Sequence, residues 1–247
     1  MKNYRYSAIE TASRCLRKFK LDYLDGLPVD TEPSIELLFG TGLHLALQAS
    51  LEGEDTLTTF NVYWDSLRST LLHEKYRYRD YALKAAEFIR KFNKMHRQHL
   101  KPHALEKTLT AEIGGYSFEG TPDFVGWYKG VPSIIDFKTS QSSYVREKII
   151  CNPQMPLYAE LARLSLGFPV EQVVYMVFVK GTGSIQEPIV QKLSPELLTE
   201  ALDSVISKAK ELEELKASGA EYKKNFTSCI MGSRVCNRFE HCYGRKK

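Results

Sequence analysis

Residues 118–139 read FEGTPDFVGWYKGVPSIIDFKT, and this stretch decides the architecture. Two runs, Tyr116 to Tyr128 and the mostly apolar Ser133 to Lys138, flank the pair Lys129-Gly130, which marks a turn. They are expected to form two strands joined by a short loop, the first bent near Gly120 and Pro122. Side chains alternate along a strand, so Ile135 and Phe137 point one way and Asp136 and Lys138 the other. A hairpin then brings Asp123 of the first strand alongside. Two carboxylates and an ammonium at the end of an apolar strand are costly to bury unless something holds them. A divalent cation is one solution; a solvated strand end with a surface ion pair is the other. Spacing alone leaves both open.

The surrounding chain, 247 residues, is long enough to bury a full core. Its 43% hydrophobic and 26% charged residues are those of a water-soluble globular protein. No apolar run approaches the roughly 18 residues of a membrane span. The start, Met1 to Tyr6, lacks the apolar core of a secretory signal, so a cytoplasmic protein without a membrane partner is expected. The net charge of +4 is too small to announce a nucleic-acid partner, but the cations are grouped. Residues 75–101 carry nine Lys/Arg against Asp80 and Glu87. Arg14, Arg17, Lys18 and Lys20 form a second group, and residues 229–247 hold five Lys/Arg against Glu240. Such groups track a phosphate backbone or form solvated helix faces.

Upstream, Ser7-Ala-Ile-Glu10 fits a capping box and predicts a helix to about Asp25 that contains Cys15. A second helix is expected over Ser34–Leu51, with Gly40, His44 and Gln48 along one stripe and Thr41 beside it. Ile35, Leu38, Phe39, Leu45 and Ala46 are the candidates for its packed side. Residues 56–101 predict two more helices broken near Tyr76–Tyr78, followed by a strand from about Leu105 to Ile113. Downstream, Pro153 and Gly167 bracket a helix over Gln154–Leu166. Glu171–Val179 reads as a buried strand, Ile185–Leu193 as a weaker one, and Ser194-Pro195-Glu196 opens a helix to about Lys216. Helices, strands, then helix, strands and helix make an α/β fold, a mixed sheet flanked by helices. The irregular tail holds Cys229, Cys236 and Cys242. Without a secretion signal, thiolate ligands are a better expectation than disulfides. Zinc, an iron–sulfur cluster and plain buried thiols all remain open from the spacing.

Pro122-Asp123, twelve residues, then Asp136-Phe137-Lys138 resembles the PD-(D/E)XK nuclease signature. Ser7 through Cys15, Gly40-x-x-x-His44, Gly120-Thr-Pro-Asp123, Asp136-Phe-Lys138-Thr139, Gln154-x-x-x-Tyr158 and the tail cysteines together resemble RecB-like nucleases with a four-cysteine iron–sulfur cluster. CRISPR-associated exonucleases and phage relatives are of this type. The resemblance implies a restriction-endonuclease-like core and a single nuclease domain over 1–247. Its parts would be a helical 1–103, a nuclease core and following helix over 104–217, and a cluster-binding tail over 218–247. His44, Asp123, Asp136 and the Phe137 carbonyl would hold Mg²⁺ or Mn²⁺, and Lys138 would act on the attacking water. Gln154 and Tyr158 would position the strand, Tyr158 having core packing as its alternative. Cys15, Cys229, Cys236 and Cys242 would bind a [4Fe–4S] cluster. The family often has only two residues where this chain has six between Cys229 and Cys236, and Cys151 has no counterpart. The activity implied is a metal-dependent DNA exonuclease acting on single strands or ends. A structure-specific endonuclease or nickase and a non-cutting DNA-end-binding protein are the alternatives. Recombination, repair or CRISPR-adaptation proteins are the implied partners.

Overall fold

The computed structural model describes residues 3–28, 32–231 and 234–244. In chain order it begins with a short strand β1 (Tyr4–Arg5), helix α1 (Tyr6–Arg14), helix α2 (Leu16–Phe19) and a wider π turn over Lys20–Leu24. Helices α3 (Ile35–Glu52), α4 (Thr56–Ser66) and α5 (Lys75–Met95) follow. Strands β2 (Leu100–Leu105), β3 (Leu109–Ile113), β4 (Tyr116–Gly120), β5 (Phe124–Tyr128) and β6 (Val131–Ser140) come next. Then come α6 (Arg146–Ile150), α7 (Gln154–Leu166), β7 (Gln172–Val179), β8 (Ser184–Ile185), β9 (Ile189–Lys192) and α8 (Pro195–Ser218). The chain closes with β10 (Ile230–Met231), β11 (Arg234–Val235) and α9 (Phe239–Tyr243). No described helix is long and apolar enough to cross a membrane.

These elements gather into two compact units, each made of separate pieces of chain. One comprises Pro33–Leu109 and Thr121–Leu198, and its core is a mixed sheet in the order β2-β5-β6-β7-β8, with β9 also paired to β7. The hairpin read from Lys129-Gly130 is there: β5 and β6 are antiparallel, with Phe124 opposite Ile135 and Tyr128 opposite Val131. Lys129 and Gly130 both take positive φ, 50° and 81°, as a tight turn between twisted strands requires. β6 and β7 run parallel, so the connection between them must cross over, and α6 and α7 supply it. All eight residues of β7 are buried, the signature of a central strand. Ile135, Phe137, Val174, Met176 and Phe178 pack with Phe39, Leu43, Phe60, Trp64, Phe88 and Phe92 of α3–α5. By alternation Asp136 and Lys138 face the other way.

The other unit comprises Met1–Glu32, Thr110–Gly120 and Thr199–Lys247. It holds a three-stranded sheet β1-β4-β3, with Tyr4 opposite Phe118, and the buried side of α8, with Ala201, Val205, Ala209 and Leu212. The expected strand from Tyr116 to Tyr128 is therefore cut rather than bent: β4 and β5 belong to different sheets, and Thr121-Pro122-Asp123 lies between them.

Other differences have local causes. The first helix begins at Tyr6 with no side-chain cap, so the capping box at Ser7 is not used. It stops at Cys15, whose backbone is extended (φ −161°, ψ 112°). The freed Arg14 carbonyl accepts from Asn225 Nδ2 (2.7 Å) and Ser228 Oγ (3.0 Å), partners no local pattern announces. The break in 56–101 falls after Ser66, before the expected Tyr76, and its last residues leave the helix for β2, despite Pro102. That proline sits where β2 shifts register against β5. Leu45, expected on the packed side of α3, is 39% exposed. In contrast α7 spans the expected residues, ended by Gly167 in the left-handed conformation (φ 64°).

Candidate active site

The register of β5 against β6 builds the site. Phe124 opposite Ile135 brings the preceding Asp123 across from Asp136. β5 ends here, which leaves the Phe137 N–H without a ladder partner, and Asp123 Oδ2 accepts it at 2.7 Å. On the other side of β5, Leu105 pairs with Phe124, so the next residue, Glu106, also reaches Asp123. Its N–H donates to the Asp123 carbonyl at 3.3 Å, and its φ of 44° marks the turn out of β2.

Helix α3 supplies the imidazole. Ser34 caps it, accepting the Leu37 N–H. A Cβ on Gly40 would lie 3.2 Å from Thr139 Oγ1, so glycine lets the helix come close to the end of β6. One turn later His44 Nδ1 lies 3.6 Å from Asp123 Oδ1 and 4.0 Å from Glu106 Oε1. One ligand atom from each of His44, Glu106 and Asp123 falls within 4.8 Å of the others, the arrangement a metal ion needs. Asp136 stands beside this trio, 5% exposed, with Lys138 Nζ 2.8 Å from its carboxylate. Only Oδ1 receives a well-aligned hydrogen bond; Oδ2 is buried without one. His44, Glu106, Phe137, Lys138 and Thr139 line a cleft of about 570 Å³.

Crowding shows in the acid–base balance. Burial, and then the neighbouring Asp123 charge, push the Asp136 carboxyl up to about 6 against the pull of Lys138 and His44. Burial and the Asp123 and Asp136 charges raise Glu106 as well. Burial alone would lower His44, but Asp123, Asp136 and Glu106 outweigh it and hold the imidazole above its ordinary value. Burial is likewise outweighed at Lys138 by Asp136 and Asp123, which keep the ammonium charged. On α7, Gln154 Nε2 donates to the Tyr158 hydroxyl at 3.2 Å. Burial raises the Tyr158 hydroxyl above its ordinary value, and the charges of Asp136, Lys138 and Asp123 also act on it.

A profile of the PD-(D/E)XK nuclease superfamily matches residues 6–242. The chain belongs to this superfamily. Its mixed α/β core is the restriction-endonuclease-like fold that the signature implied. Among solved structures, one described as a "Putative exonuclease" from Eubacterium rectale covers all of this chain and 90% of its own, at 16% identity and a TM-score of 0.64, a likeness of fold. A second, SSO0001, shares 18% identity over 78% of this chain and 84% of its own, with a TM-score of 0.29. No curated protein matches.

The residues singled out by the sequence resemblance, Asp123, Asp136 and Lys138, lie together in the structure with His44 close by, and Gln154 bonds to Tyr158 on α7. Glu106 was not among the sequence candidates. Only a strand over Leu100–Leu105 in register with β5 makes it visible, whereas the sequence alone runs the helix to about residue 101 and places Glu106 inside a strand over Leu105–Ile113.

The proposed cysteines all lie in the other unit. The Cys15 sulfur accepts the Asn225 N–H (3.4 Å), Cys229 Sγ meets the Tyr243 hydroxyl (3.5 Å), and Cys236 Sγ accepts the Arg238 N–H (3.5 Å). Burial raises the Cys242 thiol, opposed by Lys224 and Arg17, with Cys15 and Cys236 near enough to add to the shift. No three of the sulfurs lie within 4.8 Å of one another. Cys151, outside this group, is exposed.

Several cations of the basic groups are occupied. Arg14 pairs with Glu10, Lys18 with Asp22 and Lys20 with Asp25. Arg77 pairs with Glu36 and Glu74, Lys84 with Asp80, and Lys91 with Glu87. Arg97 donates to the Ser50 and Leu51 carbonyls. In the tail, Arg238 is 1% exposed and bonded to Asp22, Leu27 and Pro28, while Arg245, Lys246 and Lys247 lie outside the described residues.

Proposed function

We propose that the protein is a metal-dependent DNA exonuclease of the RecB-like type, acting on single strands or strand ends. The observation that carries this reading is the convergence of His44, Glu106 and Asp123 beside the Asp136–Lys138 pair in one cleft. The donor set fits a divalent cation: the Asp123 charge raises the proton affinity of Asp136 and Glu106, and a buried Asp136 oxygen lacks a hydrogen bond among the described residues. Asp123, Glu106, Asp136 and His44 would hold Mg²⁺ or Mn²⁺, the imidazole suiting the latter. When bound, the ion supplies Lewis-acid polarisation of the phosphate and a more acidic water. Lys138 keeps its proton on Nζ, orients the water and offsets the extra negative charge on the phosphate oxygens in the transition state. Asp136 fixes that ammonium in place. Tyr158 and Gln154 orient the strand across α7.

The reading extends to a structural [4Fe–4S] cluster on Cys15, Cys229, Cys236 and Cys242. Supporting it, Cys15 and Cys236 act on Cys242 electrostatically, and Arg17 Nε lies buried without an acceptor among the described residues while its charge acts on Cys242. That is a suitable setting for an anionic thiolate centre. Recombination, repair or CRISPR-adaptation proteins would be the partners. The test is incubation of end-labelled linear and circular single-stranded DNA with Mg²⁺ or Mn²⁺. Cutting of linear substrate alone supports the exonuclease, cutting of both an endonuclease, and cutting of neither the non-cutting DNA-end binder.

A further inference from the structure

We propose that Lys180, with Arg77 and Lys84, forms a phosphate-binding subsite, grouped around the Tyr81 ring, for the nucleic-acid strand beyond the metal ligands. The identity of the anion rests on the nuclease reading above. Lys180 Nζ and Lys84 Nζ each lie 5.6 Å from the Tyr81 ring centre, and Arg77 Cζ lies 5.9 Å from it. Arg77 is held by Glu36 and Glu74, and Lys84 by Asp80. Lys180, only 6% exposed, has neither a carboxylate nor a hydrogen-bond acceptor for its side chain among the described residues. An ammonium beside two other cations on one ring is unfavourable, and an incoming anion relieves it. Burial, then Arg77 and Lys84, lower its proton affinity in keeping with that strain.

The position is built, not incidental. The Lys180 N–H donates to the Ser140 carbonyl (2.7 Å), and the Gly181 N–H to that of Gln141 (3.1 Å). A Cβ on Gly181 would meet the Gln141 oxygen at 2.5 Å, so only glycine permits this approach. Lys91 Nζ then fastens the turn through the Gly183 carbonyl (2.5 Å). The subsite adjoins the cleft twice: Ser140 follows Thr139, and Arg77 grips Glu36, both cleft-lining residues. A strand with its reacting phosphate near Lys138 is thereby led past Thr139 towards Lys180.

The experiment measures binding of a labelled single-stranded oligonucleotide by fluorescence anisotropy over a salt series, with Ca²⁺ replacing the catalytic ion. Lys180→Met should weaken binding about tenfold and reduce the slope of log K against log salt by about 0.7, one phosphate contact on a single strand. Lys180→Arg should retain both, and the melting temperature of Lys180→Met should be no lower than that of the wild type. Lys192→Met, an exposed lysine on β9 opposite the other end of β7, controls for net charge and should bind normally. Should Lys180→Met fail to fold, Lys84→Gln tests the same subsite, with a loss of about threefold expected. Unchanged affinity in a folded Lys180→Met or Lys84→Gln variant, or an equal loss in Lys192→Met, overturns the subsite while leaving the nuclease reading intact. Inorganic phosphate binding lost in Lys180→Met with strand affinity unaltered makes it a free-ion site, also against the proposal. A wild-type protein that neither binds nor cuts DNA removes the nuclease reading and the strand ligand with it.

Discussion

Asp123 and Asp136 meet because two hydrogen-bonded strands are in register, whereas Cys15 and Cys242 come near one another because both ends of the chain fold into the same unit. At the carboxylates the backbone does the positioning: the hairpin, the Phe137 N–H and the Gly40 approach fix every donor. At the cysteines the backbone is short turns and a two-residue ladder, tied by the buried Arg238 to Asp22 and the carbonyls of Leu27 and Pro28. A site built on register should tolerate loss of its ion; one built on chain ends should depend on what it binds.

The first way to break that contrast is at the carboxylates. Asp123→Ala and Lys138→Ala should each lower cleavage of end-labelled DNA by about 10³-fold. Their melting temperatures should stay near that of the wild type, and Lys138→Ala should retain Mn²⁺ binding by calorimetry. Normal cutting by Lys138→Ala would mean the ammonium is a bystander. At the other site, Cys15→Ser, Cys236→Ser or Cys242→Ser should bleach the brown colour expected of anaerobically purified protein and lower its solubility and melting temperature; Cys151→Ser should not. A colourless, stable wild type with four readily alkylated thiols would erase the distinction.

Glu106→Gln sharpens the comparison at a residue that register alone supplies. Mn²⁺ affinity should fall about tenfold, in the range of other site perturbations, with the fold unaffected. The pH response is subtler. Asp136 and Glu106 bind protons more tightly in the folded chain than in the unfolded one, and so does His44. Their contribution to stability without metal is therefore greatest in acid and is lost as pH rises through about 6 and beyond. Metal binding runs the opposite way, strengthening as Asp136 ionises. In EDTA the melting temperature should fall from pH 5 to 7.5, and Asp136→Asn should flatten that fall. The smallest effect is expected from Gly40→Ala, whose methyl would press on Thr139 Oγ1 and move His44 slightly. A few-fold loss of activity is expected, with no change in iron or colour.

What the sequence disclosed follows the same division. The hairpin, α7 and β7 were legible because turn pairs, a bracketing proline and glycine, and a run of eight buried residues are local signals. The signature at Asp123 and Asp136 was legible for the same reason. Glu106 was not, because it depends on β2 pairing with β5 through an irregular register at Pro102. The break at Cys15 was not either, since Asn225 and Ser228, which take the Arg14 carbonyl, lie more than 200 residues away. The basic groups were legible only as a count, because composition does not show the carboxylates beside Arg14, Lys18, Arg77 and Lys84.

The discontinuous make-up of the cysteine-bearing unit has a consequence during synthesis. The other unit is complete in sequence once Leu198 has been added, whereas Met1–Glu32, made before it, shares a unit with Thr199–Lys247, made after it. Closing that long loop is a slow, late event in folding. Until then α1 and α2 wait with Ala8, Ile9, Ala12 and Phe19 uncovered, and a ribosome that stalls soon after Leu198 leaves a chain whose candidate site is assembled but which is prone to aggregate at α1 and α2.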